Sequence, residues 1–231
     1  MTQSVSMPDF AHIDHWIFDL DNVLYPSSCD LFALVDEKMG EYISRALDCD
    51  AGEARRIQKG YFHDHGTTLA GLMHHHGTDP NEFLDFVHDI DMSRLEFSTP
   101  LRTAIDLLPG EKLVFTNADK PYAERVLEKR GLAGIFSQIH DVLATDLIPK
   151  PQPAAYDSLI AATGINPSRS LFVEDMARNL LPAKQLGMTT VWVNTGSKWG
   201  APDADSDFID YEIPDLESWI TGFGNNKGQI L

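Results

Sequence analysis

The feature that most constrains the fold of this 231-residue chain is a series of short apolar runs separated by stretches patterned as helices. Trp16-Ile17-Phe18, Leu113-Val114-Phe115, Leu171-Phe172-Val173 and Thr190-Val191-Trp192-Val193 are continuous and rich in β-branched or aromatic residues. A strand with one wet face alternates apolar and polar residues, whereas unbroken runs suit strands covered on both faces. A weaker run around Ile139 supplies a fifth strand. Thr99-Pro100 opens a helix whose Leu101, Ala104, Ile105 and Leu108 share a face, and Asp119 with Pro121 opens another that stops near Gly131. Two more helices, over residues 153–163 and 177–186, end at Gly164 and Gly187. Strand and helix thus alternate from residue 99 to 195, the pattern of an α/β, doubly wound parallel sheet.

Residues 27–98 break that alternation. Leu31, Leu34, Val35, Met39, Tyr42, Ile43, Ala46 and Leu47 recur at helical spacing, Asp50 caps a second helix, and Asp79-Pro80 begins one containing Phe83, Leu84 and Val87. The simplest organisation is a core of residues 1–26 and 99–231 with a helical domain, 27–98, inserted after the first strand. A chain of this length suits one core domain plus an accessory piece. Gly222 to Gly228 reads as a mobile tail.

Acidic residues outnumber basic ones by 35 to 18, a formal charge of −17 that repels polyphosphate and anionic lipid at long range. Nucleic acid and membrane surfaces are therefore not expected partners, and an anionic substrate would need a local source of positive charge such as a metal or a focused lysine. Cys29 and Cys49 form no metal or redox motif, Met1 to Ala11 lacks a secretory pattern, and no apolar run reaches the ~18 residues of a membrane span. A cytoplasmic location is the expectation, with a homodimer left open.

The chemistry-bearing residues fall at strand ends. The first strand runs into Asp19-Leu20-Asp21-Asn22, where an extended backbone would project Asp19 and Asp21 from one face, at the sheet edge where open α/β folds bind ligands. An acidic turn without chemistry fits this segment too; a calcium loop does not, because Leu24 stands where the sharp turn needs glycine. Thr116-Asn117 follows the second strand and could meet a phosphate or merely cap a helix. Lys150 lies between Pro149 and Pro151; a lone lysine is usually solvated. Glu174-Asp175, followed by Asn179, offers oxygens of the kind magnesium takes. What raises these above their separate alternatives is their order along a single sheet.

In that order, DLDNVLYP, VFTNAD, PKPQPAAY and FVEDMARNL resemble the four motifs of the haloacid dehalogenase-like hydrolase superfamily. Asp19 to Tyr25 and the insertion segment Gly66-Thr67-Thr68-Leu69-Ala70-Gly71-Leu72 resemble its pyrimidine 5′-nucleotidase group. The resemblance implies a magnesium-dependent phosphomonoesterase with Asp19 as nucleophile, Asp21 as general acid/base, Thr116, Asn117 and Lys150 on the phosphate, and Lys150 also catalytic. It further implies a metal held by Asp19, Asp175 and the backbone carbonyl of Asp21, supported by Glu174 and Asn179, with UMP- or CMP-like substrates under a cap. Within that cap, residues 66–72 form either a substrate-facing loop that includes Thr68 or only a helix-to-helix turn. Val23 departs from the threonine common at its position. A sugar-phosphate phosphatase or phosphomutase fits the same motifs; a dehalogenase would not need Asp21, and a receiver-like signalling module would not need residues 27–98. A non-catalytic phosphate-binding protein would be expected to have lost a motif. His74, His75 and His76, consecutive on a helix, point about 100° apart and cannot converge on one ion.

Overall fold

The computed structural model describes residues 10–201 and 206–222. The five expected strands are present: β1 (His15–Phe18), β2 (Glu111–Phe115), β3 (Gln138–His140), β4 (Ser170–Glu174) and β5 (Thr189–Val193). A sixth, β6 (Tyr211–Ile213), was not anticipated from the sequence; it is three residues long with one buried side chain, too short and too wet to show an apolar run. The sheet order is β3-β2-β1-β4-β5-β6 and every pairing is parallel. β1 sits between β2 and β4, so the chain order reverses beside it, which is where ligands of such sheets bind.

Both faces are covered, which explains the unbroken apolar runs. Because successive strand residues point to opposite faces, Ile17, Leu113, Phe115, Phe172 and Trp192 pack with Tyr156 and Leu159 of α7 (Pro153–Thr163) and Leu180 of α8 (Ala177–Gln185). Trp16, Phe18, Val114, Leu171, Val173 and Val191 face the other way, toward α5 (Thr99–Asp106), α6 (Lys120–Arg130) and the short α9 (Leu216–Thr221). Burying each such large side chain contributes about 1.5–3 kcal/mol. The helix starts follow local chemistry: Asp119 accepts from Tyr122 N at 2.8 Å to open α6, while Gly131 closes it at φ 75°.

Between β1 and α5 lie four helices, α1 (Leu31–Leu47), α2 (Ala51–His65), α3 (Thr68–His76) and α4 (Pro80–Val87). Their apolar faces, including Leu31, Val35, Ile43, Leu72, Phe83 and Val87, belong to the same continuous cluster as the second sheet face. Leu20, Val23, Leu24 and Tyr25, directly after β1, join the two, so Val23 has a packing role in place of a hydroxyl. No described helix is long and apolar enough to cross a membrane. The suggested tail lies, Gly222 apart, outside the described residues.

Candidate active site

The carboxyl ends of β1, β2 and β4 converge, and with them most of the expected residues. Register places Phe18 opposite Val114 on one side and Val173 on the other, so the residues that follow, Asp19, Phe115 and Glu174, emerge together. Asp19 is anchored by its own N–H, which donates to Val173 O at 2.9 Å.

Lys150 is the hub. Its ammonium donates to Asp19 Oδ1 at 2.8 Å, Glu174 Oε2 at 2.7 Å and Phe115 O at 2.8 Å, which uses all three of its hydrogens. The side chain is 1% exposed, and the rings of Phe115 and Phe172 flank the charge at 5.0 and 5.2 Å. Burial alone would favour the neutral amine, but Asp19 and Glu174 hold the ammonium above its ordinary range. In this geometry Lys150 orients Asp19 and Glu174, rather than offering a spare hydrogen to a phosphate.

Asn117 also differs from expectation. Its Nδ2 donates to Lys150 O at 3.2 Å and its Oδ1 accepts from Lys150 N at 2.8 Å, a two-way clamp that fixes the lysine's backbone and occupies the amide expected to meet phosphate. Thr116 is buried beside them, its Oγ1 accepting from Ala118 N at 3.0 Å, with its hydroxyl hydrogen still available to a ligand oxygen.

The second aspartate leaves the strand. β1 ends at Phe18, and Leu24 N bonded to Leu20 O at 3.0 Å folds Asp21 into a turn, so strand alternation does not set its direction as the sequence suggested. Two buried phenols do: Tyr25 donates to Asp21 Oδ1 at 2.6 Å and Tyr122 donates to the same oxygen at 3.0 Å. Burial raises the Asp21 carboxyl above its usual range, against the opposing pull of these donors and of His88. Burial and the Asp21 charge push both phenols well above theirs, which keeps them donors. Tyr25 closes the Asp19–Tyr25 motif, but the sequence assigned it no task, and Tyr122 was not singled out. Tyr25 stands four residues after Asp21 in a turn, and Tyr122 comes from a helix 101 positions away, with no local pattern linking it to the site.

Asp19, Glu174 and Asp175 each offer an oxygen within 4.8 Å of the others, a set that suits a hard divalent cation. Asn22, at φ 58°, turns its amide to donate to Asp175 Oδ2 at 3.1 Å, and Trp192 Nε1 donates to Asp175 O at 2.9 Å. Burial, then repulsion from Glu174, pushes Asp19 up to about 8 against the pull of Lys150, and raises Asp175 well above the carboxylate range. One ammonium does not offset three buried carboxyls, and a cation would. Asn179 Oδ1 is a buried oxygen with no partner among the described residues. Glu174 joins this set by distance, although its Oε2 accepts from Lys150 and its Oε1 from Met176 N at 3.1 Å, and the Asp21 carboxylate is turned to its tyrosines.

The insertion segment is a helix-to-helix turn, the second of the two readings its sequence allowed. Only Gly66 and Thr67 lie outside helix: Gly66, at φ 86°, ends α2, and Thr67 caps α3 by accepting from Ala70 N at 3.1 Å. Thr68 is buried in the first turn of α3 with its hydroxyl aimed at Gln58 O, 3.4 Å away, so the structure does not bring it to the cluster of carboxylates. Gly71 is needed for packing, because a Cβ there would lie 2.3 Å from the Tyr61 ring. It is Gly66 that approaches the core: Arg178 donates to its carbonyl at 3.0 Å, and its α-carbon faces Pro149 and Pro151. His74, His75 and His76 splay as expected, but His75 meets His65 of α2, Nε2 to Nε2 3.1 Å, a pairing across helices that consecutive spacing does not reveal.

Comparison with known proteins agrees with this geometry. A family model described as haloacid dehalogenase-like hydrolase matches residues 13–187. Phosphate metabolism protein 8 of Saccharomyces cerevisiae is 26% identical over 190 residues, 75% of this chain; the alignment spans only 59% of the yeast protein's length. The glyceraldehyde 3-phosphate phosphatase of Methanopyrus kandleri is 25% identical over 215 residues, covering 85% of this chain and 91% of the relative. Among solved structures, a HAD phosphatase from Thermococcus onnurineus shares the fold, with a TM-score of 0.60 at 20% identity over 92% of this chain and 98% of that one.

Proposed function

The chain belongs to the haloacid dehalogenase-like hydrolase family, and from that premise we propose that it is a magnesium-dependent phosphomonoesterase working through an aspartyl-phosphate on Asp19. The observation that carries this reading is the pairing of two aspartates held for different tasks. Asp19 stands at the end of β1 with Lys150 on one oxygen, and Asp21 is held by phenols a turn away.

Asp19, Glu174 and Asp175 would hold the cation. When bound, Mg²⁺ supplies positive charge that keeps the carboxylates ionised and offsets that of the phosphoryl oxygens. Lys150 fixes the line of attack by holding Asp19 Oδ1, and Asn117 fixes Lys150 in turn. Asp19 forms the bond to phosphorus as the ester oxygen departs, and Asp21 gives that oxygen a proton. Asp21 then takes a proton from the water that attacks the phosphorus and frees Asp19, so one group serves as acid and base. Thr116 contributes its hydroxyl hydrogen to a phosphoryl oxygen.

Residues 27–98 act as a cap that excludes water and reads the leaving group. Support comes from Gly66 against Pro149 and Pro151, from Arg178 on the Gly66 carbonyl, and from His88 of the cap bonded to Asp119 of the core at 3.0 Å. The substrate class is a nucleoside monophosphate, with UMP and CMP preferred; the motifs DLDNVLY and GTTLAGL support it. A sugar-phosphate phosphatase is the second reading, favoured by the Methanopyrus relative, named a glyceraldehyde 3-phosphate phosphatase, which aligns over most of its length. Phosphate release from UMP, CMP, AMP and a set of sugar phosphates, with Mg²⁺ and with chelator, tests both. Equal kcat/KM for UMP, AMP and a simple sugar phosphate would reject pyrimidine selectivity, and full turnover after chelation would reject the metal-dependent mechanism.

A further inference from the structure

Asp21 is the group whose proton must move, yet one of its two oxygens is fully committed. Tyr25 reaches Oδ1 from the loop after β1 and Tyr122 reaches it from α6, at 2.6 and 3.0 Å, and both tyrosines are 0% exposed. A carboxyl oxygen has two in-plane lone pairs, and two O–H donors fill them. Any proton on this carboxyl therefore sits on Oδ2.

We propose that Tyr25 and Tyr122 are positioning residues that reserve Oδ1 as a fixed acceptor, so that Oδ2 alone gives and takes the catalytic proton. The inference rests on the role of Asp21 proposed above. In the first step the Asp19–phosphorus bond forms, the phosphorus–ester oxygen bond breaks, and the Oδ2 proton passes to the departing oxygen. In the second, the water oxygen bonds to phosphorus, the Asp19–phosphorus bond breaks, and the water proton returns to Oδ2. A carboxyl free to rotate would present the wrong oxygen part of the time, and orientation of this kind is a large share of what an active site contributes.

The placement of Tyr122 is itself secured from two sides. His88 stacks on its ring, with centroids 4.3 Å apart and planes 16° off parallel, and His88 Nδ1 pairs with Asp119 Oδ2 at 3.0 Å. The other Asp119 oxygen accepts from Tyr122 N at 2.8 Å. His88 is the residue that ends α4. The last helix of the 27–98 segment thus braces the residue that braces Asp21.

Leaving-group dependence separates this role from mere packing. A p-nitrophenolate departs without a proton, whereas the alkoxide of benzyl phosphate needs one. Tyr25→Phe and Tyr122→Phe should each lower kcat/KM for benzyl phosphate roughly tenfold, a fraction of the 10²–10⁴ that acid–base catalysis contributes, with a clearly smaller loss for p-nitrophenyl phosphate. In an Asp21→Asn background the same phenol removals should cost nothing further, because groups that act as a unit are not additive. Equal losses on both esters, or the same losses without Asp21, would overturn the proposal and leave the tyrosines as packing. Absence of wild-type turnover on either ester with Mg²⁺ would overturn it together with the phosphatase reading, an outcome distinct from the first two. Thermal melts of the variants confirm folding, since Tyr→Phe removes only a hydroxyl.

Discussion

Replacing Lys150 with methionine should do more damage to stability than any other single change in the site. Methionine keeps an unbranched apolar stem between Phe115 and Phe172 but leaves Asp19, Glu174 and the Phe115 carbonyl, now 2.7–2.8 Å from the missing nitrogen, without a donor. Removing one partner of a buried ion pair costs about 3–5 kcal/mol. The orphaned carbonyl adds about 1–3 kcal/mol, while proton uptake by the carboxyls limits the total. A loss of about 4 kcal/mol is therefore expected near neutral pH, a large part of the ~5–15 kcal/mol that holds a typical domain together. In urea, where the slope is about 1–3 kcal/mol per molar, the unfolding midpoint should drop by about 1.3–4 M. The double variant Lys150→Met/Glu174→Gln should recover part of the loss by removing one orphaned carboxylate. A single-variant midpoint indistinguishable from wild type would refute the account of Lys150 as a buried hub.

Further expectations concern the metal, the acid/base group and Thr68. Asp19 is raised to about 8 and Asp175 well above its usual range, so the metal-free folded chain retains protons that the unfolded chain has lost. Its stability from this source falls as pH rises from about 4 toward 8. Mg²⁺ must displace those protons, so the rise in Tm it produces should be small at pH 5 and large at pH 8; an equal rise at both would contradict the ligand assignment. Asp21→Asn should keep substrate binding and lose roughly 10² to 10⁴ in kcat, read by separate titration and turnover measurements; unchanged kcat would remove Asp21 from the reaction. Thr68→Val loses one long hydrogen bond to Gln58 O and should shift stability by about 1 kcal/mol, leaving the ranking of phosphate esters unchanged. A changed ranking would return Thr68 to the substrate.

The sheet and the location of the site were legible because they depend on local patterns. Strands covered on both faces must be apolar throughout, and Asp19, Thr116 and Asp175 directly follow β1, β2 and β4, whereas Lys150 comes from the turn before α7, ten residues after β3. What was not legible depends on which distant groups meet. Tyr122 reaches Asp21 across 101 positions, and Asn117 spends both ends of its amide on the Lys150 backbone, 33 positions away. A motif specifies residue types, but not which oxygen or amide remains free once the fold is complete. Thr68 illustrates the same limit. Its place in a Gly-Thr-Thr turn suggested a loop, but Thr67 takes the cap and Thr68 falls inside the helix, facing Gln58. The edge strand β6 and the six-residue α9 were missed because each is too short to carry a period.

The central claim is that Asp19 becomes covalently phosphorylated during turnover. Asp21→Asn slows the return of water to the intermediate, so this variant, mixed with its best phosphomonoester and Mg²⁺ and quenched in acid within a turnover, is the material in which to look. Peptide mass spectrometry should then find the phosphoryl group on Asp19, lost on treatment with hydroxylamine as an acyl phosphate must be, and absent from Asp19→Asn. A phosphoryl group on any other residue, or wild-type turnover accompanied by no phosphoprotein at any quench time, would contradict the account.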